Sequence, residues 1–162
     1  MINKLLVWIL FAVPEGLMMV IAGLGLLGIR RPFRKMALAG VLVGTGTMIF
    51  RAFIPNGYHV PLVLIFYCLL LVLVLRVSAK TSILACFLSS ILINLGQLLI
   101  ALPILRIAGL SFQDTLANIW LHIGFGWLGE IIILICSIMV IVRRRPLIPV
   151  PESEYLRGAN GP

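Results

Sequence analysis

The sequence predicts an all-α protein: a polytopic membrane bundle of five transmembrane helices, with the N-terminus outside and the C-terminus cytoplasmic. Three features predict it. Of the 162 residues, 62% are hydrophobic and 11% charged, whereas about a quarter of a soluble domain is charged. The apolar residues fall into five long runs, each near the roughly 20 residues that cross a hydrocarbon core. The basic residues, finally, sit in the gaps, and the gaps alternate. Arg30, Arg31, Arg34 and Lys35 follow the first run, Arg76 and Lys80 the third, and Arg143, Arg144 and Arg145 the fifth. The other side holds only Lys4, Arg51 and Arg106. This asymmetry marks cytoplasmic anchors, and an even number of spans would destroy it.

The first span, residues 5–29, exceeds the roughly 7–15 apolar residues of a cleavable signal and is read as retained. Pro14 lacks an N–H, so it should loosen this helix and free a carbonyl beside Glu15. The span ends in Gly23-Leu-Gly25-Leu-Leu-Gly28. Those letters match a dinucleotide-binding fingerprint, but the fingerprint works only between a strand and a helix N-terminus. Here the glycines predict close helix packing at the membrane boundary. The second span, 36–54, contains Gly40-Val-Leu-Val-Gly44, a GxxxG element that admits another helix of this chain or of a second copy.

A turn, Pro55-Asn56-Gly57-Tyr58-His59, leads into the third span, 60–77. The fourth, 81–105, follows the second basic gap. Before the fifth, 118–142, Ser111 with Asp114 three residues on resembles a capping box, although Asp is a weaker partner than Glu. The fifth helix is therefore expected to begin early, near Phe112, with Trp120 at interfacial depth. Beyond Arg145 come Pro146, Pro149, Pro151, Glu152 and Glu154. Residues 146–162 are expected to be a disordered cytoplasmic tail.

The net charge of +8 does not imply nucleic acid. The cations mark helix ends, with no aromatic interleaving and no basic face on a soluble helix. Anionic lipid headgroups on the cytoplasmic side are their natural counter-charge. Cys68, Cys86 and Cys136 lie in three different runs with no CxxC neighbour and no His at ligand spacing, and read as packing residues. No HExxH, Cys/His pair or Ser/His/Asp set occurs at a usable spacing. The expectation is no metal, no cofactor and no catalytic residue.

The informative side chains are those that are costly to place. Glu15 lies about 15 Å and Glu130 about 18 Å into their spans, at 1.5 Å per residue. Asn94 and Gln97 share that depth on the fourth span. A carboxylate there costs on the order of 3 kcal/mol, so each must be paired, neutral or facing a cavity. Arg51, roughly 5 Å from the outer boundary, can snorkel outward or reach in toward Glu15. His122 and Glu130 share a face with Gly126 between them, which predicts a small-residue groove lined by two titratable groups. Their separation of about 12 Å excludes a shared metal ion without further ligands. The layer Glu15, Arg51, Asn94, Gln97, His122 and Glu130 has three readings: interhelical hydrogen bonds that fix packing, worth about 0.6–2 kcal/mol each; a cavity that senses a ligand or proton; or a transport path.

The element Val-Pro14-Glu15-Gly-Leu opens a span that ends Gly-Leu-Leu-Gly28-Ile. A glycine-rich second span with Arg51 near its end follows, then Ile-Pro-Asn-Gly-Tyr-His59. Over roughly residues 1–145 the chain resembles the five-span N-terminal membrane region of Firmicutes sporulation-type and GHKL sensor histidine kinases. The resemblance implies a sensory or regulatory module of a bacterial inner membrane, with Glu15, Arg51 and His59 as places of functional interest. Its partners would be a membrane or cytoplasmic signalling protein or a second copy of the chain. Those kinases continue into a dimerisation segment and an ATP-binding domain, whereas here a Pro-rich stretch follows Arg145. The expectation is therefore a non-enzymatic module. The alternative is a small membrane transport component with a polar midplane cavity.

Overall fold

A computed structural model of the chain describes residues 2–54 and 58–143. The expected tail and the anchors Arg144 and Arg145 lie outside the described residues, as does the side chain of Arg143.

The described residues are helical, without strands. Helix α1 is a continuous run of three pieces, Ile2–Val7, Trp8–Ala12 and Val13–Leu26. Helix α2 is Phe33–Phe53, and α3 is His59–Leu75. Helix α4 joins Ala79–Gly96, Gln97–Ala101 and Leu102–Ile107. A short α5, Phe112–Ala117, precedes α6, Ile119–Arg143. Four stretches, Leu5–Leu26, Phe33–Phe53, Ala79–Ile107 and Ile119–Val142, are long and apolar enough to cross a membrane, as in a multi-pass membrane protein. The third expected span, His59–Leu75, is equally apolar but has 17 residues, about 26 Å of helix.

Packing fixes the directions. Gly16 meets Gly40 and Gly44 meets Ala12, so α1 and α2 run antiparallel. Cys68 lies against Ser82 and Cys86 against Leu64, which makes α3 and α4 antiparallel. Between α1 and α6 the pairs are Phe11 with His122, Met18 with Ser137 and Gly25 with Val140. They advance together, so these helices are parallel. The long helices thus alternate in direction. The turns after α1 and α3 share one end, where Arg31 Nη2 donates to the Arg76 carbonyl at 3.1 Å. The Gly25–Val140 contact brings the end of α6 there too.

Helix α1 is the hub, with Val20, Ala22, Leu24 and Leu27 inaccessible. Opposite the Met19 carbonyl, Tyr67 of α3 donates at 2.7 Å and the Ser89 hydroxyl of α4 lies at 2.9 Å. Polar groups in an apolar interior persist only when bonded, so this three-helix junction fixes the register of the bundle.

The observed ends differ from the expected spans for local reasons. Helix α1 stops at Leu26, not 29, because Gly28 turns left-handed at φ 78° and its N–H and that of Ile29 close on Gly25 and Leu24, a glycine C-cap. Helix α2 starts at Phe33, three residues before 36, since Pro32 provides the entry turn. Helix α3 ends at Leu75, not 77, with Arg76 left-handed at φ 51°. Helix α4 starts at Ala79 because the Ser78 hydroxyl accepts the Thr81 N–H.

The capping box at Ser111 and Asp114 is present, but it starts a separate helix. The backbone breaks at Asn118, φ −117° and ψ 118°, and α6 begins only at Ile119, where the side-chain oxygen of Asn118 accepts the Trp120 N–H. The expected early start of the fifth span is therefore corrected. The Ser111 hydroxyl and N–H both donate to Asp114 and hold its carboxyl below the usual range. This cap strengthens helix α5 above the ordinary carboxylate pKa and is lost as pH falls through the lowered one.

Candidate functional site

Two helices widen where the polar layer lies. In α1 the Val13 N–H closes on Trp8, and in α4 the Leu102 N–H closes on Gln97, each spanning five residues, the π-turn geometry. Both turns precede a proline, Pro14 and Pro103, by two residues. Pro14 offers no N–H to the Leu10 carbonyl four residues earlier, and the indole of Trp127 on α6 donates to that carbonyl at 2.9 Å. The freed carbonyl expected beside Glu15 is thus satisfied by a neighbouring helix.

A cavity of about 660 Å³ opens at the end of α2 and α3 opposite the Arg31–Arg76 contact. Its polar lining comes from Arg51 at the end of α2, His59 at the start of α3, Asn94 and Gln97 on α4, Thr115 on α5, and His122 on α6. Four of the six expected layer residues therefore meet around one space. Glu15, buried beside it, reaches the layer through Arg51: Oε1 lies 3.8 Å from Nη2. Of the two sequence alternatives for Arg51, the inward one is seen, with the arginine side chain still 42% exposed.

Glu130 is fully buried, does not line the cavity, and neither carboxyl oxygen has a hydrogen-bond partner among the described residues. Of the groove expected between His122 and Glu130, His122 and Gly126 line the cavity, whereas Glu130 does not. The Phe11 ring occupies the space over Gly126 and packs edge-on against His122, with centroids 5.9 Å apart. A small residue on a helix invites a large neighbour as readily as a ligand, and at Gly126 that neighbour is Phe11.

The expected packing glycines act within the chain: Gly40 and Gly44 receive α1. Gly23 packs on Ser89 and Tyr67, and Gly25 on Val140. Three residues of the site lay outside the sequence-derived layer. Phe11 reads as an ordinary core aromatic. Thr115 sits on the short helix α5, and its burial depends on the fold back of that helix onto α6. His59 was marked only through the resemblance. Among the described residues no group of three metal-ligating side chains converges. The fold and site define a helical bundle of membrane-crossing character with a cavity at one end that several polar side chains help to line. No protein-family model, curated protein or solved structure matches the chain.

Proposed function

We propose that the chain is a five-span module of a bacterial inner membrane, N-terminus outside and C-terminus cytoplasmic, that senses or regulates and performs no catalysis of its own. The observation that carries this reading is the cavity around Arg51, with the ion pair to Glu15 at its edge. Toward the opposite end the interior is filled by Val20, Leu24, Val43, Leu71 and Ile133, all inaccessible. A cavity with polar side chains in its wall, backed by a packed core, suits reception of a stimulus, and the resemblance to sensor-kinase membrane regions supports the same role. A charge pair between helices is a natural two-state element, since a ligand that competes for Arg51 changes how α1 and α2 are held. A transport component is the second reading, favoured by the depth of the polar layer, but a path would have to open this filled region.

The spatial grouping of the basic turns supports the orientation. A reporter fused after Pro162 is expected to give a cytoplasmic signal, and one inserted between Gly109 and Leu110 an external one. The reverse at either site overturns the topology. In a background with Cys68, Cys86 and Cys136 replaced, Asn94→Cys is expected to react with a membrane-impermeant thiol reagent added outside. A cysteine at Ile133 should not react. Protection of Asn94→Cys would remove the receiving cavity, and uptake by vesicles containing only this protein would replace the regulatory reading with transport.

A further inference from the structure

The wall of the cavity around Arg51 carries one sign of charge. Arg51 is the one permanently charged side chain among its described lining residues, and no Asp or Glu is among them. Glu15 and Glu130 are buried away from the space, and Asp114 is engaged by Ser111 on α5. Glu15 balances Arg51 from behind, but the 3.8 Å separation is beyond hydrogen-bond distance. A guanidinium has five N–H donors in a planar fork, and this one is partly exposed. Donors therefore remain for a group that enters the cavity. Much of the remaining wall is apolar, and Leu98, Leu102 and Leu105 recur along α4 at spacings of four and three residues. The volume of about 660 Å³ falls in the range of about 300–1,000 Å³ that receives drug-sized molecules.

We propose that this cavity binds an amphiphilic carboxylate, its carboxylate at Arg51 and its apolar body against Leu98, Leu102 and Leu105. The planar guanidinium fork matches a carboxylate and takes it up with charge-assisted hydrogen bonds. A cationic ligand would meet Arg51 with like charge. A bare anion would leave the leucine stripe in water, and a neutral amphiphile would forgo the charge. The entering carboxylate competes with Glu15 for Arg51, so its binding acts on the contact between α1 and α2. A small acid in solution and a free fatty acid in the bilayer present the same chemistry. This ligand class rests on the reading of the cavity as the receiving site.

The test uses the full chain in phosphatidylcholine nanodiscs near neutral pH, with Cys68, Cys86 and Cys136 replaced and Asn94→Cys introduced. The Asn94 amide already donates to Ser90 of its own helix, so this substitution leaves Arg51 in place. Octanoate is expected to protect the new cysteine from a water-soluble thiol reagent at about tenfold lower concentration than octanol. Acetate and octyltrimethylammonium should not protect it. Gln113→Cys, exposed and outside the cavity lining, should react at an unchanged rate. Oleate and oleyl alcohol mixed into the nanodisc lipid repeat the comparison for a bilayer source. Preference for the acid in either arm upholds the class, and preference in neither overturns it. Arg51→Gln should abolish the preference, Arg51→Lys should keep most of it, and Leu102→Trp should weaken protection by filling the space. The ligand series retains Arg51 and so stands even if Arg51→Gln does not fold. Protection by acetate at the octanoate concentration, equal slowing at Gln113→Cys, or full preference in folded Arg51→Gln would each overturn the proposal. If Asn94→Cys never reacts, the receiving cavity fails and this proposal with it. Reaction without protection by either acid leaves the cavity reading standing and removes only this ligand class.

Discussion

Alanine at Gly16 or Gly44 is expected to drive α1 from α2 and to remove most of the folded protein. A Cβ at Gly16 would collide with the Gly40 carbonyl and lie 2.7 Å from the Gly44 nitrogen, and one at Gly44 would collide with the Ala12 carbonyl. The obstacles are backbone atoms, so no side chain can rotate away. Overpacking usually costs about 1–3 kcal/mol, and the rigid contact places these variants at the upper end, with leucine worse. The measurement is the melting temperature in detergent together with the amount of protein recovered from membranes. Gly124→Ala serves as the control, since a Cβ there meets nothing within 4 Å. Equal stability of Gly16→Ala and Gly124→Ala would show that α1 and α2 do not pack so closely.

The second large effect is expected at the charge pair. Arg51→Leu leaves the Glu15 carboxyl buried with no cation near it, one of its oxygens already lacking a hydrogen-bond partner. Breaking a fully buried pair costs roughly 3–5 kcal/mol. Because Arg51 is 42% exposed, the expected loss is smaller, on the order of 2 kcal/mol. Glu15→Gln removes the burden itself and should cost about 1 kcal/mol or less. The double variant should recover most of the stability lost in Arg51→Leu, a coupling measurable by a double-mutant cycle. Membrane accumulation of Glu15→Gln and Glu130→Gln separates the roles of the layer: both are expected to accumulate normally, and if either is lost outright, the layer serves packing and not reception.

The helices could be read from the chain because their signals are local. Apolar runs, glycine and proline stops, and the Ser111 cap each act within a few residues, and helix ends at Leu26, Phe33 and Phe112 stand beside such signals. The capping box shows the limit of local reading: it correctly predicted a helix start at Phe112, but not that Asn118 would break the chain six residues on. The site was legible in part. Glu15, Arg51, Asn94, Gln97 and His122 were marked by the cost of placing polar groups among apolar ones, a property of each residue alone. Their grouping was not, because it depends on which helix faces which.

Composition and the alternation of Arg and Lys determined by themselves that the chain is helical and suited to a membrane, since the cost of burying charge acts on every segment independently. Only the tertiary structure decided that α1 is the hub, that Arg51 turns inward to Glu15, and that Phe11 fills the space over Gly126 while Glu130 stays apart. Those outcomes turn on close approach between distant segments, where one missing Cβ at Gly16, Gly40 or Gly44 sets the distance at which every other side chain must pack.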